Sequence, residues 1–180
     1  MNDSPQRLDR RTIYESSWVS LYVDRVRMPS GAIVESYHRI HYPRASVCVV
    51  VANERGEILM IRSKRYATGR LEWEVPAGRI EEGETPEDAA ARECREETGC
   101  TIRTLRSMGK FNPANGMSDL TMHMFVAQVD TQQADYDHDE VDDVRWMSRQ
   151  QVVEILRSNE TQCGVSMLTL SYALQFYLNE

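Results

Sequence analysis

The sequence has few cysteines, no long apolar run and no excess of positive charge, and each shortage excludes a class of protein. Its four cysteines show neither a CxxC pair nor zinc-site spacing, which predicts reduced, mostly buried thiols. The longest apolar run, near residues 47–52, is too short to cross a bilayer, and the first residues lack an apolar signal region. A formal net charge of −7 argues against a general binder of nucleic acids or membranes. We therefore expect a cytoplasmic protein that binds neither nucleic acids nor membranes.

The length and the order of predicted elements indicate one α+β domain with a small N-terminal extension. Residues 1–11 are polar and are expected to be loose, and the alternation over residues 12–40 predicts an antiparallel hairpin around Pro29-Ser30-Gly31. We place the domain boundary between residues 1–42 and 43–180. The hairpin residues expected to be buried are Trp18, Leu21, Val23 and Val26. Further strands are predicted near residues 45–52, 57–63, 72–75, 101–111, 121–129 and 143–147, and helices at 86–98, from 148, and at 166–178.

Three glutamates share one face of the first predicted helix. Glu93, Glu96 and Glu97 are spaced i, i+3, i+4, so their carboxylates project from the same side. Like charges at this spacing destabilise a helix, and a divalent cation such as Mg²⁺ removes that repulsion through oxygen ligands. An acidic face that is simply solvated is the alternative. A Thr85 N-cap and a left-handed Gly99 at the end favour a short, fixed helix, which suits a rigid ion site.

The spacing of residues 78–100 resembles the Nudix hydrolase family. The family pattern is a glycine, five residues, a glutamate, seven residues and then R-E-U-x-E-E-x-G-U, where U is bulky and aliphatic. Cys94 and Cys100 depart from the pattern at the two U positions, and cysteine is small enough to fill such a buried site. The positions that match are Gly78, Glu84, Arg92, Glu93, Glu96, Glu97 and Gly99. The resemblance implies an α/β/α sandwich with a mixed sheet.

Segments outside this motif are similar to those of ADP-ribose pyrophosphatases and related nucleotide-sugar hydrolases. They are residues 61–66, 71–78, 137–141 and 144–148. The likeness implies hydrolysis of the pyrophosphate bond of a nucleoside diphosphate linked to another group, with ADP-ribose giving AMP and ribose 5-phosphate as the leading expectation. Other nucleotide sugars such as GDP-mannose remain alternatives, as does a non-catalytic module that senses a nucleotide. In the ADP-ribose branch an N-terminal antiparallel sheet pairs two subunits, so we expect a homodimer, with an intramolecular lid as the alternative.

The resemblance also assigns metal ligands within the motif. Glu93 and Glu97 are expected to bind Mg²⁺, or Mn²⁺ in its place, with Glu96 shared between ions and the main-chain carbonyl of Ala77 completing one site. Arg92 is expected to orient a ligand by pairing with Glu84 or Glu93. Glu84 itself either supports a ligand or only favours the helix N-terminus.

The remaining expected site residues lie outside the helix. Glu140, in a late acidic loop, is the leading candidate for the general base, with Glu96 or Glu97 as the fallback. Arg65 is expected to bind phosphate oxygens, since a guanidinium suits bidentate contact. Pro113 and Ser118 belong to a turn-rich loop expected on the substrate side, although Pro113 comes slightly earlier than the family's proline.

Overall fold

The computed structural model describes residues 4–178, which form two compact units. Residues 4–45 and 112–121 make up the N-terminal unit, and residues 46–111 and 122–178 make up the larger one. The first unit is therefore discontinuous in sequence, since it takes in a ten-residue segment from the second half of the chain.

The N-terminal unit contains a three-stranded antiparallel sheet in the order β1-β2-β3. Tyr22, Val23 and Val26 of the central strand are buried. The carboxylate of Asp24 accepts two hydrogen bonds of 2.7 Å from Arg10, whose guanidinium also lies 4.1 Å from the centre of the Tyr22 ring. This arrangement joins β1 to β2 through a paired charge. The strands are β1 (Gln6–Tyr14), β2 (Ser20–Arg27) and β3 (Ile33–His41).

Two expectations for this region are wrong. Residues 6–11 are not loose but form most of β1, because pairing with β2 supplies the order that their polar sequence does not suggest. Trp18 is not buried: it lies in the connection between β1 and β2, and 65% of its surface is exposed. Val23 and Val26 are buried as expected, and Leu21 is half-buried.

The segment 112–121 is held on β3 by backbone and side-chain hydrogen bonds. The amide of Ile40 donates to the carbonyl of Met117 at 2.8 Å, and the Tyr37 hydroxyl donates to the carbonyl of Gly116 at 2.6 Å. Asp119 accepts hydrogen bonds from the side chain of Arg39 and the backbone of Tyr42, and also pairs with His41. This segment therefore belongs structurally to the N-terminal strands.

The larger unit contains a seven-stranded mixed sheet. Its central order is β10-β5-β4-β9-β8, with β6 paired to β5 and β7 paired to β4; the β4–β9 pair is parallel and the others are antiparallel. The strands are β4 (Ser46–Ala52), β5 (Ile58–Arg65), β6 (Arg70–Glu74), β7 (Ala77–Arg79), β8 (Cys100–Phe111), β9 (Met122–Gln132) and β10 (Val141–Met147). The helices are α1 (Pro86–Thr98), α2 (Arg149–Ser158) and α3 (Gly164–Phe176).

Helices lie on both faces of this sheet. Ala89, Ala90 and Cys94 of α1 are fully buried against a core that includes Val49 of β4, and their small side chains allow the helix to pack closely. The neighbouring residue in β4, Cys48, points to the opposite face, where its thiol lies 3.1 Å from the hydroxyl of Thr169 in α3. The expected α/β/α arrangement with a mixed sheet is confirmed.

None of the three helices within residues 4–178 combines the length and the apolar character needed to span a membrane.

Candidate active site

The acidic motif lies on α1, and both ends of this helix are capped as the sequence predicts. The Thr85 hydroxyl accepts a 3.1 Å hydrogen bond from the amide of Asp88 and donates to the Asp88 carboxylate. At the other end Gly99 has φ of 70°, and its amide donates to the carbonyl of Arg95. The helix therefore holds the acidic side chains on a short, fixed support.

Arg92 connects three of the acidic side chains. Its guanidinium donates two hydrogen bonds to Glu84, at 2.9 and 3.0 Å, and further bonds to Glu93 at 2.8 Å and Glu96 at 3.0 Å. It also donates to the main-chain carbonyl of Arg79 at 2.9 Å. Arg92 was expected to pair with Glu84 or Glu93, and it pairs with both. The single positive charge of its guanidinium is shared by three carboxylates, those of Glu84, Glu93 and Glu96.

The carboxylate of Glu93 lies directly against the backbone of Gly78. A Cβ atom built on Gly78 would fall 1.9 Å from Oε1 and 2.3 Å from Oε2 of Glu93. Only glycine allows this contact, so the first residue of the motif defines the space that the Glu93 carboxylate occupies. Burial raises the pKa of Glu93, and Arg92 partly offsets this effect.

Glu97 is the most deeply buried acid of the motif, with 4% of its surface exposed. Its Oε2 accepts a 2.9 Å hydrogen bond from the amide of Ala77, which places β7 beside the helix. Burial, with smaller contributions from the neighbouring charges of Glu93 and Glu140, raises the pKa of Glu97 to about 8, although the hydrogen bond from Ala77 acts in the opposite direction. An uncompensated buried carboxyl group is costly, so a cation at this position would stabilise its charged form.

Glu140 lies in the exposed turn before β10, and its charge is near enough to raise the pKa of both Glu93 and Glu97. The loop that carries it is tied to the helix, because the amide of Asp137 donates to the carbonyl of Glu96 at 2.8 Å. Glu140 therefore faces the motif closely enough to interact with it.

The donor set fits a divalent metal ion. Within residues 4–178 no three His, Cys, Asp or Glu side chains converge as a preformed ion-binding cluster, since Arg92 holds Glu93 and Glu96. The donors are nevertheless all oxygens, two of the carboxyl groups have raised pKa values, and Gly78 clears space for one of them. Hard divalent cations take such oxygen ligands.

A cavity of about 430 Å³ lies next to the motif and is lined by Ala77 and Gly78 together with Arg65. Arg65 is fixed there by Glu74, whose carboxylate accepts hydrogen bonds of 2.7 and 2.6 Å from it and is only 2% exposed. A larger cavity of about 680 Å³ lies at the far end of β4 beside Ala52, and no motif residue lines it. We therefore assign the smaller cavity to the site.

Sequence reasoning missed two buried acids in this cavity, Glu72 and Glu74. They alternate with Leu71 and Trp73 in β6, immediately before the motif. The sequence signal that could have identified Glu72 and Glu74 is their spacing, which places two acids on the same face of a short strand. Acids on a strand face are expected to be either exposed to solvent or functional.

Pro113 and Ser118 lie in the segment 112–121 of the N-terminal unit. Pro113 is exposed in a turn, and the Ser118 hydroxyl accepts a 3.1 Å hydrogen bond from the amide of Leu120. Their expected contact with substrate stays a prediction.

Comparison with known proteins gives two domain matches. The NUDIX domain model matches residues 42–164, and the model of the nucleoside diphosphate sugar hydrolase N-terminal domain matches residues 6–40. A solved structure described as an ADP compounds hydrolase superimposes with a TM-score of 0.84 over 96% of this chain and 94% of the other, at 20% identity, which shows the shared fold.

Three curated relatives are similar in sequence. A CMP-5'-(N-acetyl-N-hydroxy-3-aminopropyl)phosphonate hydrolase from Streptomyces rubellomurinus is 34% identical, covering 84% of this chain and 73% of the relative. ADP-ribose pyrophosphatases from Bacillus subtilis and Mycobacterium tuberculosis are 30% and 33% identical, covering 92% and 68% of this chain and 93% and 58% of the relatives. The predicted family and enzyme class are thus confirmed: the chain belongs to the Nudix hydrolase family.

Proposed function

We propose that this protein hydrolyses the pyrophosphate bond of a nucleoside diphosphate linked to another group, with ADP-ribose as the preferred substrate. Water attacks one phosphorus, the bridging P–O bond breaks, and the products are AMP and ribose 5-phosphate, with two protons released when both monoesters are fully ionised. The observation that carries the proposal is the set of carboxyl groups on α1, which are held against Ala77 and Gly78, since these two residues line a cavity that also contains Arg65.

Glu93 and Glu97 would hold the divalent metal ion, with Glu96 and the carbonyl of Ala77 as further ligands. We propose Mg²⁺, which Mn²⁺ can replace. The bound ion would neutralise charge on the diphosphate and lower the pKa of a bound water. Arg92 keeps Glu93 and Glu96 in place through its hydrogen bonds and contacts no substrate.

Arg65 binds an oxygen of the diphosphate. The Nε and Nη2 groups of Arg65 donate hydrogen bonds to Glu74, which fixes the plane of the guanidinium. The Nη1 group of Arg65 is then the one that binds the substrate. Glu140 accepts the proton of the attacking water, because it is exposed to solvent and tied by its loop to the metal-binding helix. Glu96 or Glu97 takes this role if Glu140 does not. Pro113 and Ser118 contact the substrate from the segment 112–121.

The test is an assay of the purified protein with ADP-ribose, GDP-mannose and a CMP ester, with Mg²⁺ or Mn²⁺ and with identification of the products. The CMP ester is included because of the phosphonate-hydrolase relative. AMP and ribose 5-phosphate from ADP-ribose would support the proposal, and preferred turnover of another compound would change the substrate. Binding without turnover of any of them would instead favour a nucleotide sensor. The Glu97→Gln variant is the control for contaminating hydrolases.

We also propose that the protein is a homodimer joined through its N-terminal strands. Large apolar side chains of this unit are exposed: Leu8, Ile13, Tyr14, Trp18 and Ile33. A small sheet has few apolar contacts of its own, so a second subunit that covers these side chains would stabilise it. Light scattering coupled to size exclusion would test the assignment, since a mass near 20.8 kDa would show a monomer.

A cytoplasmic location stays a prediction. It is supported by the cysteines, all four of which are free thiols, as expected in a reducing compartment.

A further inference from the structure

The cavity beside the motif contains two acids whose hydrogen bonds differ. Glu74 has both carboxylate oxygens occupied by Arg65, at 2.7 and 2.6 Å. Glu72 has only one occupied: its Oε2 accepts a 2.9 Å hydrogen bond from the amide of Gln162. Its Oε1 forms an ion pair with the Nη1 atom of Arg70 at 3.6 Å, a distance too long for a hydrogen bond.

Glu72 is buried despite this incomplete pairing. Its residue surface is 7% exposed, and it lines the cavity. Among residues 4–178, the side-chain atoms that are fully buried without a hydrogen-bond partner are Nε of Arg62 and Oγ1 of Thr161. Oε1 of Glu72 is not one of them, so this oxygen is accessible from the cavity and can accept a hydrogen bond from a group bound there.

The charges around the cavity decide which donor is suitable. Arg65 and Arg70 balance Glu72 and Glu74, so the lining carries no excess charge. A further anion or cation, beyond the diphosphate and its metal ion, would bring a charge that this balanced lining does not compensate. A neutral group with hydroxyls suits the site, because one carboxylate oxygen can accept from two neighbouring hydroxyls.

We propose that Glu72 determines specificity for the group attached to the diphosphate, by accepting hydrogen bonds from the hydroxyls of a sugar. This inference rests on the proposed function, since it assumes that the diphosphate lies between the motif and Arg65. The sugar then extends into the cavity, whose volume of about 430 Å³ is within the range of small-molecule sites. The amide of Gln162, two residues before α3, holds the Glu72 carboxylate in place through its hydrogen bond to Oε2.

The test compares two substrates that differ only in the group attached to the terminal phosphate of ADP. In ADP-ribose this group is a sugar with hydroxyls, and in the methyl ester it is a methyl group without any. We expect the wild-type protein to show a kcat/KM at least about tenfold higher for ADP-ribose, because a site built around a hydroxyl discriminates against a compound that lacks it. This comparison requires no mutation and so does not depend on the folding of a variant.

The Glu72→Gln variant supplies the second measurement. Its amide oxygen can keep the hydrogen bond from Gln162, while its NH₂ group replaces the acceptor at Oε1. We expect kcat/KM for ADP-ribose to fall about 10- to 100-fold and that for the methyl ester to stay within about twofold. Glu154→Gln, on the exposed face of α2, is the matched control and should change neither value.

The outcomes separate this inference from the proposed function. If Glu72→Gln lowers kcat/KM equally for both substrates, Glu72 acts only on the structure, by holding the segment before α3. If the ratio of the two kcat/KM values is the same as in the wild type, Glu72 contacts no hydroxyl. Either result overturns the inference. A wild-type protein that hydrolyses nucleoside diphosphate esters but does not prefer the sugar also overturns it. Inactivity of the wild type on both substrates refutes the proposed function, and the inference with it.

Discussion

Replacement of Gly78 by alanine tests whether the motif holds Glu93 at a defined position. The new Cβ would lie 1.9 Å from Oε1 of Glu93, whereas ordinary contact begins near 3.4 Å, so the carboxylate has to withdraw by about 1.5 Å. Gly78 is outside the left-handed region, so alanine fits its backbone without strain. The change therefore falls on a flexible side chain and not on the fold.

A displacement of this size is large compared with the tolerance of a metal ligand. Misplacement of a catalytic group by about 1 Å can cost about 100-fold in rate, so Gly78→Ala should lower kcat/KM for ADP-ribose by about that factor at a fixed metal concentration. Thermal unfolding should remain close to that of the wild type. Gly164→Ala is the control, because a Cβ at this first residue of α3 would meet no atom within 4 Å.

A double-mutant cycle identifies the path of the effect. If Gly78→Ala acts by displacing the Glu93 carboxylate, then adding it to Glu93→Gln should cause little further loss. Losses that multiply would mean that Gly78 acts on another group, and full activity of Gly78→Ala would refute the argument from close contact.

Three more results are expected. Glu97→Gln should lower kcat by at least about 100-fold with an unchanged circular dichroism spectrum, and wild-type activity would remove Glu97 from the metal ligands. Glu140→Gln should lower kcat by a smaller factor if Glu96 or Glu97 can replace Glu140 as the general base. A variant whose kcat equals that of the wild type across the pH–rate profile would show that Glu140 is not the base. Asp24→Asn should destabilise the protein to urea by about 2–3 kcal/mol at neutral pH, because the bidentate contact with Arg10 is lost. The hydrogen bonds from Arg10 lower the pKa of Asp24 below its ordinary value of 3.8, so the stability that they supply is present above that pH. The difference from wild type should therefore shrink as the pH falls from 3.8 through the lowered pKa, whereas Glu35→Gln in an exposed pair should be neutral throughout.

The parts of the fold that could be predicted are those whose signals are local. The limits of α1 follow from Thr85, Pro86 and Gly99, because capping depends on residues a few positions apart. The pairing of Arg92 with Glu84 and Glu93 likewise follows from neighbours on one helix and its preceding turn. The strands of the mixed sheet other than β7 were expected from the sequence, although their ends differ by a few residues.

The parts that could not be predicted depend on contacts between distant segments. Polar residues 6–11 form a strand only because β2 provides its hydrogen bonds, and the short β7 exists only beside β4. The burial of Glu72 beside the cavity could not be predicted, because the group that binds its carboxylate, the amide of Gln162, is 90 residues away in the sequence. Composition and periodicity describe neither kind of contact.

The attachment of segment 112–121 to β3 affects how the protein can be divided. Removal of residues 1–45 would not delete a complete structural unit, because ten residues of that unit would remain inserted between β8 and β9. Asp119 would lose both Arg39 and His41, leaving a carboxylate without these two side-chain partners in the shortened chain. Exchange of this unit between related enzymes therefore requires three junctions in the gene, one after residue 45 and one at each end of the segment 112–121.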